Sequence, residues 1–282
     1  MLPIRTLIEK GRGTVRGLYR LRRPRLRHTR KGCPYVALEL EDMSGRVPAY
    51  LWAPDSDTES LLQDLRCVEV VGAIRRRRDG IVLDVERIGD VQDRLGEVVR
   101  LIPQSVCPLP WLLYYLDAWV AHLTDPHLRQ FTLNVLGDDG LAFLFVSAPA
   151  SLRHHHAWPG GLLQHSLECV QSVFRHPQFG REQMECGMVA ALFHDIGKVL
   201  TLTADMRRTS LGQTLDHDKL TLEVLAPHLK WLDRHRPAIA ADLRYLLTWR
   251  KGRRDGRIPR LTMAEVVRSA DRISAGLATQ GQ

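Results

Sequence analysis

Apolar positions along the chain follow two different periods, and the change falls near residue 100. Over residues 14–91 apolar and polar residues alternate in short stretches, broken by turn residues at fairly even intervals, which is the pattern of strands half buried in a sheet. Residues 36–42 and 46–52 flank Ser44-Gly45 and predict a hairpin. Residues 67–74 and 80–88 predict two further strands joined through an arginine run and Asp79-Gly80, and residues 60–65 predict a short helix between the two hairpins. Two or three strands, a helix and two strands in so short a span fit a small Greek-key barrel of the OB type, an architecture whose sheet face commonly takes single-stranded nucleic acid.

Residues 94–110 carry Gly96, Pro103, Pro108 and Pro110 without a sustained period and predict a linker. Beyond them the spacing becomes three to four over residues 111–123, 126–136, 161–174, 182–193, 219–232, 237–249 and 262–277, which predicts an all-helical second half. The expected fold class is therefore α+β in two domains: an OB-like nucleic-acid-binding β-barrel over 1–93, a linker over 94–110, and an all-α domain over 111–282. A chain of 282 residues has room for both cores.

Composition adds limits. The chain is 44% hydrophobic and 26% charged, ordinary for a globular protein, so wholesale disorder is not expected. No apolar run approaches the ~20 residues that span a bilayer, and the first residues lack the apolar block of a signal peptide. The expectation is a cytoplasmic protein without a membrane partner. Cys33, Cys67, Cys107, Cys169 and Cys186 are odd in number and lack a C-x-x-C pair, which argues for buried thiols rather than a disulfide framework or zinc knuckle.

The formal charge of +8 is concentrated: eleven Lys or Arg residues stand between Arg5 and Lys31 against the single acid Glu9, and Arg75-Arg76-Arg77-Arg78 follows. Such a field attracts phosphate-rich polymers, although a charge run by itself is more often a solvated face. Beside the barrel pattern it makes single-stranded nucleic acid the expected partner, with Arg16, Arg20, Arg22 and the run from Arg75 tracking the backbone and Tyr35, Tyr50 and Trp52 stacking bases. Aromatics at strand positions are more commonly core. A homo-oligomer is compatible with the sequence.

The chemistry concentrates in the helical half. An apolar stretch from Met188 runs into His194-Asp195, and Gly197 then offers a left-handed cap. An imidazole and a carboxylate buried side by side are costly unless both are satisfied, and a divalent cation satisfies both at once. His165 stands on the core-facing side of a helix opened by Gly160-Gly161, and Asp271 stands mid-helix among Val267, Ala270 and Ile273. Each alone reads as an ordinary polar residue; three inward-facing positions on three helices read as a ligand cage.

The pattern H…HD…D, with His194-Asp195 followed by Ile196-Gly197-Lys198, resembles the HD superfamily of metal-dependent phosphohydrolases over roughly residues 111–280. The resemblance implies that His165, His194, Asp195 and Asp271 bind a divalent metal, manganese first, with iron, magnesium, cobalt or zinc as alternatives. A barrel before that domain, with His155-His156-Ala157 and Gly160-Gly161 upstream of His165, is similar to the YhaM-type 3′→5′ exoribonucleases and to HD-containing conjugative relaxases. It implies a metal-dependent nuclease acting on single-stranded RNA or DNA from the 3′ end. In that scheme Asp195 orients or deprotonates a water, Lys198 neutralises phosphate charge, and His155 and His156 hold a phosphate or protonate the leaving 3′ oxygen, with His154 a bystander. The basic stretch over residues 250–260 would line the entering strand. Two-metal members add two histidines before the last Asp; His217 fills the first position, but residues 246–250 read Leu-Leu-Thr-Trp-Arg where the second is expected. One tightly held metal follows, with a second brought weakly or with substrate. Two alternatives remain: a phosphohydrolase of nucleotides or small phosphoesters, and a non-catalytic nucleic-acid-binding or conjugation-related accessory protein.

Overall fold

A computed structural model describes residues 3–54, 67–77, 80–90, 95–249 and 260–280. They fall into two compact units, Met1–Ser105 and Val106–Gln282. The helix expected over residues 60–65, Arg78, and residues 250–259 of the second basic stretch lie outside the described residues.

In the first unit helix α1 (Ile4–Lys10) precedes strands β1 (Gly13–His28), β2 (Pro34–Asp42), β3 (Gly45–Trp52), β4 (Cys67–Arg77) and β5 (Gly80–Asp90). The strands close into a barrel in the order β1-β2-β3-β5-β4; β3 and β5 run parallel and every other pair antiparallel. This is the OB-type topology expected from the strand spacing. Alternation fills the barrel: Val36, Leu38 and Leu40 from β2, Val47, Ala49 and Leu51 from β3, and Val68, Val70 and Ile74 from β4 all point inward. Each large apolar side chain so buried contributes ~1.5–3 kcal/mol. The hairpin turn is held by Asp42, whose Oδ1 accepts from the Ser44 hydroxyl at 2.6 Å and its amide at 2.7 Å, while Oδ2 accepts from the Ile4 amide at 2.8 Å.

The expected linker is partly a piece of this unit. Leu95–Leu101 forms a 3-10 helix with Val99 and Leu101 buried, and Arg20 Nε donates to the Leu101 carbonyl at 3.0 Å. Glycine and proline hid this turn in the sequence because its few apolar residues are too short a run to show a period.

The second unit contains α2 (Leu112–His122), α3 (Pro126–Gly137), α4 (Asp139–Ser147), α5 (Gly161–Phe174), α6 (Arg181–Phe193), the single turn α7 (Lys198–Thr201), α8 (His217–His235), α9 (Pro237–Thr248) and α10 (Met263–Gln280). Seven match the expected helices to within a few residues. Helix α4 was not expected: Leu141, Ala142, Phe145 and Val146 are buried in a nearly continuous apolar run that has no polar face to mark a helical period. Helices α5 and α6 pack closely, and α10 lies against both. Among the described residues no helix is long and apolar enough to cross a membrane.

Candidate metal centre

Helix α6 is buried from Glu185 to Phe193, so its C-terminus delivers His194 and Asp195 into the interior. The chain then turns through Ile196 and Gly197 into α7. Gly197 is not the left-handed cap the sequence predicts: its φ is −57°. It is glycine because the His217 carbonyl oxygen lies 2.1 Å from where a Cβ would sit, which lets the start of α8 close onto Asp195. Helix α5 supplies the fully buried His165, and α10 supplies Asp271.

These four side chains meet. The two Nε2 atoms of His165 and His194 are 3.2 Å apart. Asp195 Oδ2 lies 3.6 Å from the first and 3.5 Å from the second, and Asp271 Oδ1 lies 3.4 and 3.7 Å from them. The outer ring nitrogens decide what the inner ones can do. His194 Nδ1 is 2.8 Å from the Ala191 carbonyl, which can only accept, so this nitrogen carries the proton and Nε2 presents a lone pair. His165 Nδ1 is 2.9 Å from Ser274 Oγ, whose hydroxyl donates to Glu168 Oε2 at 2.7 Å, so His165 is oriented the same way. Two lone pairs and two carboxylate oxygens thus face one point, a donor set that a divalent cation fits.

The electrostatics agree. Burial alone would push Asp195 up, but Lys198 and His194 outweigh it and hold the carboxyl well below the usual range. Burial of Asp271 is likewise outweighed by the neighbouring imidazoles of His165 and His194, which hold its carboxyl well below the usual range. Burial lowers His165, whereas for His194 the carboxylates of Asp195 and Asp271 overcome burial and raise the pKa. Lys198 is buried, with Nζ 2.5 Å from Asp195 Oδ2, so its charge is matched rather than stranded.

Asp195 also faces a second set. Its Oδ1 is 3.1 Å from His217 Nε2, which is 3.3 Å from Asp218 Oδ1. A cavity of about 270 Å³ opens here, lined by His155, Lys198, His217, Trp249, Arg268 and Asp271 among others. Leu246 and Trp249 form its wall where the two-metal pattern would place its second added histidine.

The expected histidine pair separates. His155 lines the cavity, its pKa lowered to about 4 by burial and then by His165 and Lys198. His156 is a correction: it is buried, its Nε2 is 3.1 Å from Glu168 Oε1, and it does not line the cavity. The carbonyl of His156 lies 2.1 Å from where a Cβ on Gly161 would sit, which pins this loop to the start of α5. His154 is exposed, and its amide bonds to Ser151 Oγ.

Three residues beside the ligands escaped the sequence reading: Glu168, Ser274 and Cys169. Glu168 and Ser274 each stand three residues after a ligand on its own helix, a spacing that signals a shared face. Cys169, one turn after His165, brings its Sγ to 3.9 Å from His165 Nε2.

On the barrel, Tyr35, Tyr50 and Trp52 stand outside the core cluster and form a ring group, with centroids 5.1 Å apart for Tyr35 and Trp52 and 5.9 Å for Tyr50 and Trp52. The Arg77 guanidinium lies 5.1 Å from the Tyr50 centroid, and Arg75 and Arg77 both pair with Asp84, which also accepts from the Trp52 indole at 3.2 Å. Arg76 is exposed. Arg16 pairs with Glu69 and Arg22 with Glu41. Arg20 is a second correction, because it is buried and bonds to the Leu101 carbonyl and so cannot track a backbone.

Comparison with known proteins agrees with this geometry. The HD domain family model matches residues 162–276. The 3'-5' exoribonuclease YhaM of Bacillus pumilus (strain SAFR-032) is 24% identical over 204 residues, covering 69% of this chain and 63% of that protein. The protein of the same name from Shouchella clausii (strain KSM-K16) is 23% identical over 255 residues, 86% of this chain and 77% of its own length. The match thus spans less than two thirds of the Bacillus pumilus relative. The second OB-fold domain of replication protein A from Methanococcus maripaludis aligns with 29% of this chain and 84% of its own, at 20% identity and a TM-score of 0.21. The helical unit contains an HD domain, over residues 162–276.

Proposed function

We propose that the chain is a divalent-metal-dependent nuclease that hydrolyses phosphodiester bonds of single-stranded RNA or DNA from the 3′ end. The observation that carries this reading is the convergence of two imidazole lone pairs and two ionised carboxylates beside a cavity that Lys198 and His155 also line. His165, His194, Asp195 and Asp271 would hold the cation, manganese first, with iron, magnesium, cobalt and zinc to be separated by measurement. A divalent cation there supplies polarisation of a phosphoryl oxygen and a more acidic water.

The side chains supply the rest. Asp195 Oδ1, 3.1 Å from His217 Nε2, can orient a water by accepting a hydrogen bond from it. Lys198 offsets negative charge on the phosphate. His155, neutral near pH 7 because of its lowered pKa, offers a neutral hydrogen bond to a phosphate or leaving oxygen. The relatives are named as 3'-5' exoribonucleases, which supports RNA and the 3′-to-5′ direction. The aromatic group with Arg77 would hold bases of the incoming strand. Five free cysteines suit a reducing compartment such as the cytoplasm.

End-labelled single-stranded RNA and DNA, incubated with Mn²⁺ with and without EDTA, test the reading against Asp195→Ala. Expected is a ladder from the 3′ end that both controls abolish; intact substrate with the wild type and metal sinks it. Hydrolysis of nucleotides or small phosphoesters is a second reading, favoured by a cavity of only about 270 Å³, and salt-insensitive turnover of a mononucleotide ester alone would carry it.

A further inference from the structure

The cavity at the metal centre does not end there. A second cavity of about 730 Å³ adjoins it, and His155, Lys198 and His217 line both. Its other walls come from the loop before α5, with Ser151, Arg153 and His154, and from the end of α7 and the segment after it, with Thr201, Arg208 and Asp216. Ligand clefts commonly measure about 300–1,000 Å³, so the first space suits the reacting group and the second has room for what is attached to it.

The wall after α7 is tied down rather than loose. Thr209 Oγ1 donates to the Leu200 carbonyl at 2.6 Å, and its amide donates to the Thr201 carbonyl at 3.0 Å. Residues Leu202 and Arg208 form a β-bridge, and Arg208 Nη1 donates to the Gly212 carbonyl at 2.7 Å. That bond uses one of five guanidinium N–H groups and sets the fork at the cavity wall. Arg153 lines the same cavity from the other segment, exposed like Arg208. Lys198 is already matched by Asp195, so the arginines supply the wall's remaining positive charge, against Asp216. Arg207 is different: it pairs with Asp205 at 2.7 Å and does not line the cavity.

We infer that this second cavity, on the phosphodiesterase reading above, is the track for the nucleotides next to the scissile bond. Arg153 and Arg208 grip their phosphates and favour a polynucleotide over a single phosphoester. The planar guanidinium matches two phosphate oxygens at once, which a lysine at the same place does not.

Two substrates separate the possibilities in the Mn²⁺-loaded full chain: thymidine 5′-p-nitrophenyl phosphate, a single phosphodiester, and a short end-labelled oligonucleotide. In the double variant Arg153→Ala/Arg208→Ala, kcat/KM on the oligonucleotide is expected to fall about tenfold or more beyond any fall on the ester. Arg207→Ala should change neither. Oligonucleotide binding in EDTA, followed by fluorescence anisotropy, should weaken, with a salt slope shallower by about one to two. Arg153→Lys/Arg208→Lys should recover only part of the loss. Equal falls on both substrates, or an undiminished rate on the oligonucleotide, would overturn the track. A wild type that hydrolyses neither substrate would remove the phosphodiesterase reading and the track with it.

Discussion

The helical unit and the barrel treat their polar side chains in opposite ways. His165 is wholly buried and both of its ring nitrogens are engaged, one toward the ligand cluster and one toward Ser274 and Glu168. On the barrel the side chains of Arg16 and Arg75 are 69% and 67% exposed, and each meets a carboxylate from a neighbouring strand. A buried polar cluster has few explanations, because desolvating histidines and carboxylates is costly unless something repays it. An exposed arginine has many. Glu69, Glu41 and Asp84 also neutralise part of the barrel's charge internally, so the count of arginines overstates the field available to a partner.

The largest effect that separates the units is expected at Asp195. Asp195→Ala removes a ligand whose two oxygens face both sets of donors, so bound divalent metal, measured by calorimetry and by elemental analysis after gel filtration, should drop below detection. Single-stranded binding by the barrel should survive. Loss of both together would mean that the two regions are not separable.

One step out from the ligands, Glu168→Gln keeps the size of the side chain but removes the charge that Ser274 donates to. Groups that orient metal ligands typically cost about 10–100-fold in affinity when changed. A Mn²⁺ competition titration should show a loss in that range with the melting temperature little moved. An unchanged affinity would mean that Ser274 alone orients His165.

Protons should compete with the metal at one ligand in particular. Asp195 and Asp271 are held ionised far into acid, and His165 is lowered, so none of them takes up a proton near neutral pH. His194 is raised. Metal binding must displace that proton, so affinity should be flat above the raised pKa and fall by about tenfold per pH unit below it. Binding isotherms across the neutral to mildly acidic range check the sign; affinity that rises on acidification would contradict the assignment.

What was legible in the sequence follows the same division. The barrel showed itself because alternation in 36–42 and 46–52 leaves one answer for which face is inside, although the hairpin pairs Asp42 with Gly45 and so turns at Met43-Ser44, one residue before the expected Ser44-Gly45. The His/Asp quartet showed itself because His194, Asp195 and His165 interrupt apolar helices. Helix α4 was hidden by being apolar all round, and the 3-10 turn at Leu95–Leu101 by being short. Gly197 was placed correctly and explained wrongly, since the close approach of the His217 carbonyl is a tertiary contact that no local pattern contains. Arg20 failed for a similar reason: nothing in the alternating run of β1 marks it as the arginine that is buried against the Leu101 carbonyl, a partner from beyond the barrel strands.

Arg20 and Trp52 give the smallest expected effects and the sharpest test of that last distinction. Arg20 is buried and bonds to a backbone carbonyl, so Arg20→Ala leaves polar groups unpaired in the interior and should cost about 1–3 kcal/mol of stability, read as a lower denaturation midpoint. Single-stranded binding under native conditions should barely change. Trp52 is exposed at the edge of the ring group, so Trp52→Ala should leave the midpoint nearly in place and weaken oligonucleotide binding by the ~1–3 kcal/mol of one stacked base. Denaturant titration and fluorescence anisotropy on the two variants form a crossed pair. If Arg20→Ala weakened binding without loss of stability, the arginine would have to leave its buried partner to reach a phosphate, and the charge run would carry the function that its burial now argues against.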